Sequence, residues 1–161
     1  MTDDARFLDV ATSDQPLRLG IETVEDLQIA SALIQDAVGL VGEISWMPRR
    51  RRLAILINRF RWEDREAADV QKREYERVRS ALVFDGVDGV RANGLDPTDK
   101  ETIYSILRIA FEEGDAPSGT VILELAGDGA LALDVECLDG RVLDMSRPWK
   151  ARGAPDHELE E

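Results

Sequence analysis

The sequence predicts an α+β protein: mostly antiparallel strands forming a barrel-like or strongly curled sheet, packed by one N-terminal helix. Three observations predict it. Helical periodicity is clear once, after Thr23. Period-two alternation recurs about eight times, and the strands are joined mostly by short Gly- and Asp-bearing turns of the kind that link antiparallel neighbours.

Leu17–Ile21 is short and apolar enough for a first strand. Thr23 is then placed as an N-cap, with Asp26 three residues on in a T-x-x-D box and Glu25 also in the first turn, where the helix dipole favours acids. Leu27, Ala30, Leu33, Ile34, Ala37 and Val38 follow at helical spacing and form one apolar stripe, with Gly39 placed to end the helix. Such a stripe needs a sheet to cover it.

The centre of the chain is GEISWMPRRRRLAILINRFRWE, residues 42–63, which reads as two strands joined by a turn of arginines. Ile44 and Trp46 alternate with Glu43 and Ser45, so one face is buried. After the turn, Leu53-Ala54-Ile55-Leu56-Ile57 is continuously apolar, as in a strand covered on both faces. From Asn58 the alternation returns: Asn58, Phe60 and Trp62 fall on one side, Arg59, Arg61 and Glu63 on the other.

Residues 63–78 carry both charges and few large apolar groups, which predicts a mobile connection with partial helicity. Strands resume at Leu82 and Phe84, pass a turn or bulge at Asp85–Gly89, and continue over Val90–Leu95 until Pro97 stops the ladder. Thr102–Glu112 alternates Ile103, Leu107, Ile109 and Phe111 against Tyr104, Ile106, Arg108 and Ala110. The last hairpin has Val121, Leu123 and Leu125 before Gly127-Asp128-Gly129, and Leu131, Leu133, Val135 and Cys137 after it. A final short strand is expected near Arg141–Met145, with Trp149 as a possible anchor beyond it.

At 161 residues, one domain over residues 16–150 is expected, with a flexible acidic arm at 1–15 and a flexible acidic tail at 151–161. There is no apolar leader, no run of about 18 apolar residues, and only one cysteine, so a cytoplasmic protein without a disulfide or a membrane span is expected. The net charge of −13 argues against indiscriminate nucleic-acid binding. Its distribution is uneven: residues 49–79 hold eleven Lys and Arg against six Asp and Glu, so this segment is +5 and the remainder −18.

Catalytic chemistry is poorly supplied. A single histidine, His157, lies in the acidic tail, and a single cysteine, Cys137, alternates toward the core. Neither a Ser/His/Asp nor a Cys/His nor a zinc constellation can be assembled from them, and no phosphate-binding glycine motif occurs. That removes most familiar hydrolases and metalloenzymes; no catalytic residue, metal ligand or cofactor is assigned. Glu124, Asp134 and Glu136 project from the outer face of the last hairpin and read as a solvated face.

Two groups can bind a ligand. Arg49, Arg50, Arg51 and Arg52 form a basic turn able to grip anions, or to bridge to the protein's own carboxylates. Asn58, Arg59 and Trp62 crowd an amide, a planar cation and an aromatic at a strand end, with Asp36 available nearby. The expected function is a non-enzymatic interaction module whose basic, aromatic rim binds an acidic protein surface. A small anionic metabolite or an enzyme site at the barrel mouth, using Asp36, Asn58 and Arg59, is the alternative. Nucleic acid comes third.

PLRLGIETVEDLQIASALIQDAV, VGEISWMPRRRRLAILINRFRWE and GTVILELAGDGALALDVECLDGRVLDMSRPW together resemble the bacterial family of unknown function DUF2948, in order over about residues 16–150. The most specific pieces are Ile34-Gln35-Asp36-Ala37-Val38 and Asn58-Arg59-Phe60-Arg61-Trp62-Glu63, where the family usually carries an acid in place of Arg61. The resemblance implies a cytoplasmic bacterial protein and brings no catalytic residues with it.

Overall fold

The computed structural model describes residues 15–64 and 76–150. The chain runs β1 (Arg18–Ile21), α1 (Val24–Leu33), β2 (Val38–Met47), β3 (Arg52–Phe60), β4 (Glu76–Asp85), β5 (Val87–Asn93), β6 (Ile103–Glu113), β7 (Gly119–Leu125), β8 (Ala130–Val135), β9 (Gly140–Asp144) and β10 (Trp149–Lys150). All of the pairings are antiparallel. The expected arm at 1–15, apart from Gln15, the tail at 151–161, and most of the expected connection at 63–78 lie outside the described residues; Glu76–Val78 already belong to β4.

Strand order is β1-β9-β4-β3-β2-β6-β7-β8-β5, with β10 paired to β4. The sheet is open, and this corrects the barrel-like or strongly curled sheet expected from sequence. Closure requires the terminal strands β1 and β5 to pair with each other, and they do not. The free end of β5 instead turns toward the arginine hairpin, where the Val87 N–H donates to the Arg51 carbonyl at 2.9 Å. Hairpin periodicity is the same in open and closed sheets, because closure depends on which strands far apart in sequence meet.

β2 joins two halves of this sheet. It pairs with β3 at both ends, across a register shift between Gly39 and Ile44, but with β6 only over Val38–Leu40. The inner faces of both halves contribute to one core: Leu53, Ile55 and Ile57 from β3, Leu82 and Phe84 from β4, and Val121, Leu123, Leu131 and Leu133 from β7 and β8 are all buried.

The helix begins as its sequence demands. Thr23 Oγ1 accepts from the Asp26 N–H at 3.0 Å, and Asp26 Oδ2 accepts from the N–H groups of Glu22 and Thr23 at 3.0 and 3.3 Å. It packs on β1 and β6, burying Leu27, Ala30 and Leu33. It ends earlier than Gly39, because the Asp36 N–H is taken by the Ile106 carbonyl at 2.8 Å while Asp36 adopts a left-handed φ of 64°. The chain thus leaves the helix to pair with β6, and Gly39 becomes a strand residue under Tyr104.

β6 departs from simple alternation. A register shift between Ile106 and Arg108 means that Tyr104, Ile106 and Ile109 are buried, while Leu107 is exposed. One extra residue changes which face the following side chains occupy. The β7–β8 hairpin matches its pattern, with Val121, Leu123 and Leu125 facing Leu131, Leu133 and Val135 inside. β8 stops at Val135, so Cys137 lies past the strand as a half-buried free thiol rather than in the core. No helix among the described residues is long and apolar enough to cross a membrane.

Candidate functional site

The two groups of residues singled out from sequence lie at opposite ends of β3. Arg52 and Arg59 are seven residues apart on an extended strand, roughly 23 Å at about 3.3 Å per residue. They do not form one patch.

At the first end, Pro48 opens a single turn of 3-10 helix, Pro48–Arg50, that reverses the chain between β2 and β3. Arg51 closes it with a left-handed φ of 52°. Its guanidinium pairs with Asp88 and lies 3.3 Å from Glu136. Arg52 Nε bonds Asp85 at 2.6 Å, and Arg141 reaches the same carboxylate at 2.9 Å. Two of the four arginines therefore fasten the turn to β5, the end of β8 and β4. Arg49 and Arg50 are exposed and make no ion pair among the described residues.

Asp85 is held below its ordinary pKa, first by the hydrogen bond from Arg52, with partial burial opposing and Arg141 adding to the effect. A carboxylate with a depressed folded-state pKa contributes stability that is fully present above its unfolded value of about 3.9 and is lost as pH falls through the folded value. The expected result is an acid-side decline in urea midpoint that is shallower in Asp85→Asn than in the parent, with the parent the more stable above pH 5. Parallel curves would remove Asp85 from the turn's anchoring.

At the other end of β3, Arg59 is fully buried. Its parity continues that of Leu53, Ile55 and Ile57, so the side chain enters the core side of the sheet. Two carboxylates meet it there: Glu63 accepts from Nη1 and Nη2 at 2.9 and 2.8 Å, and Asp144 accepts from Nε and Nη2, both at 3.1 Å. Ser80 donates to Asp144 Oδ1 at 2.7 Å, and the Leu17 N–H donates to Oδ2 at 2.8 Å. Burial works against the Arg59 charge, but Glu63 and Asp144 offset it, and its pKa stands above the ordinary arginine value. Its charge and hydrogen bonds are directed inward.

Trp62 reaches the backbone of Gln35, the residue before Asp36. The Trp62 indole N–H donates to the Gln35 carbonyl at 2.9 Å, fastening the short turn Trp62–Asp64 over the end of the helix beside Asp36. Phe60 stacks obliquely on Trp62 at 5.5 Å between ring centres and carries the Arg77 guanidinium 4.0 Å above its own ring. Asn58 is half-buried, and its Oδ1 has no hydrogen-bond partner among the described residues. Arg61 is buried, pairs with Glu76 and lies 4.0 Å from Glu63. It lines a cavity of about 700 Å³ together with Asp144, Ser146 and Arg147.

Sequence reasoning placed Glu63 on the same side as Arg59 but did not foresee Ser80 or Asp144, which come from β4 and β9. On the last hairpin, the three carboxylates are separately engaged: Glu124 by Arg108 at 2.8 Å, Asp134 by Arg91 at 2.7 Å, and Glu136 by Arg51.

The architecture defines an α+β protein with an open antiparallel sheet, whose arginine turn is pinned at its base and free at its tip. The chain belongs to a family of unknown function: the model described as "Protein of unknown function (DUF2948)" matches residues 17–157, nearly its whole length. No match was found among curated proteins or solved structures.

Proposed function

We propose that the chain is a non-enzymatic interaction module of the bacterial cytoplasm, and that its arginine tip binds an acidic surface on a protein partner. The observation that carries this reading is the division of labour within Arg49–Arg52. Arg51 and Arg52 hold the turn to Asp88, Glu136 and Asp85, while Arg49 and Arg50 stay exposed without an ion pair among the described residues. A pre-organised turn loses little freedom on binding, so its free guanidinium groups retain more of their attraction for carboxylates. In a protein of net charge −13, eight of the described arginines are paired internally, whereas Arg49 and Arg50 stand side by side, exposed and unpaired among the described residues, on one turn.

The reading is tested by affinity capture from nuclease-treated extract of the source cell, with the parent beside Arg49→Glu/Arg50→Glu as bait. Both positions are exposed, so the variant is expected to unfold within about 0.5 kcal/mol of the parent. The expected result is a protein recovered by the parent, lost with the variant and released as salt rises. The same proteins on both baits, or none on either, would overturn it.

A further inference from the structure

A second feature lies where the inner faces of the two half-sheets meet β5. A cavity of about 290 Å³ opens between Ile44 and Trp46 of β2, Leu53 of β3, Val90 and Ala92 of β5, and Leu131 of β8. Ile44, Trp46 and Val90 pack against the core, yet remain only half-buried. β5 is the last strand of the open sheet, and among the described residues no further strand covers this end. Apolar surface left in water forfeits the stabilisation that burial would bring.

All of the residues lining the cavity are apolar except one. Lys100 is its only ionisable residue, and it makes no ion pair among the described residues. Asp96, close by in sequence, is already occupied by the Thr98 N–H and hydroxyl, at 2.9 and 2.7 Å. The backbone of Lys100 is fixed: the Gly42 N–H donates to its carbonyl at 2.9 Å, and a Cβ at position 42 would itself lie 2.9 Å from that oxygen. Only glycine lets the loop approach β2 so closely, and this approach sets Lys100 at the cavity.

We infer that this cavity is a binding site for a small free carboxylate with an apolar body, of the class of short fatty acids. The apolar walls take the body, and the unpaired lysine takes the charge. At about 290 Å³ the cavity lies just below the range of about 300–1,000 Å³ that most ligand pockets span, a size that suits a single short chain. The site is distinct from the arginine tip and does not depend on the proposed protein partner.

The test is a titration of the full chain with octanoate, read from the indole N–H signals of its three tryptophans and assigned with Trp46→Phe. Saturable movement of the Trp46 signal is expected, with those of Trp62 and Trp149 staying in place. Octylamine is expected to bind at least tenfold more weakly, and Lys100→Glu to weaken octanoate at least tenfold. Ala92→Trp, a substitution at an exposed position that fills the cavity mouth, is expected to abolish binding while leaving the urea midpoint close to the parent's. No saturable binding of octanoate would overturn the site. Equal binding of octylamine, or unchanged binding to Lys100→Glu, would overturn its preference for anions. A Trp46 signal that moves on dilution of the protein alone would identify a second copy as the occupant and overturn it as well.

Discussion

Arg59→Met is expected to lower the free energy of unfolding by about 3–5 kcal/mol, the usual cost of removing one partner from a buried ion pair. The side chain it replaces has no exposed surface, and the carboxylates left behind are only 3% and 4% exposed. Methionine fills much of the volume but neutralises neither Glu63 nor Asp144. Single domains hold about 5–15 kcal/mol in total, so the variant sits close to the limit of folding. Urea denaturation measures the loss as a lower midpoint at an unchanged slope. Adding Glu63→Gln removes one stranded charge and is expected to return part of the deficit, so that the double variant is more stable than a sum of the two single effects. Strict additivity would mean that Arg59 and Glu63 do not act as one network.

The second large effect is expected at Gly39. A Cβ there would lie 2.5 Å from the Tyr104 hydroxyl oxygen, 2.7 Å from its Cζ, and 3.1 Å from the Leu56 carbonyl oxygen. Tyr104 is itself buried, and its ring cannot move aside without disturbing the core. Gly39→Ala is therefore expected to cost about 1–3 kcal/mol, as overpacking does. Tyr104→Phe supplies the control. The hydroxyl is buried without a hydrogen-bond partner among the described residues, and burial, with a smaller contribution from Glu43, raises its pKa well above the tyrosine value. Deleting it is expected to be neutral or stabilising, and to lessen the cost of Gly39→Ala in the same chain. An equal cost in both backgrounds would place the collision elsewhere.

These two positions also mark where the sequence was readable and where it was not. The Thr23 box and the β7–β8 hairpin follow from neighbours within a few residues, and such local chemistry is legible in a single sequence. Gly39 was read as a helix stop because glycine serves that purpose locally; its actual need arises from Tyr104, on a strand 65 positions further along. Arg59 carried a usable signal, since it shares parity with Leu53, Ile55 and Ile57. The uninterrupted apolar run concealed which of the two faces was the deeper, so the arginine looked like a rim residue. Asp144, the carboxylate that completes its neutralisation, is 85 residues distant, and no periodicity points to it. The open sheet escaped for the same reason, because alternation records which face is buried and not which strands meet.

The position of β9 has a consequence for how the chain is made. β9 is the last strand but one to leave the ribosome, followed by β10 alone among the described residues, yet in the sheet it stands between β1 and β4. Until residues 140–144 emerge, β1 has no strand partner among the described residues and one edge of β4 lies open. At about 5–20 residues per second, the 85 residues between Arg59 and Asp144 take about 4–17 seconds to synthesise. During that interval the nascent chain holds a basic strand end that lacks half of its countercharge, and the arrival of β9 closes the seam and buries the charge together.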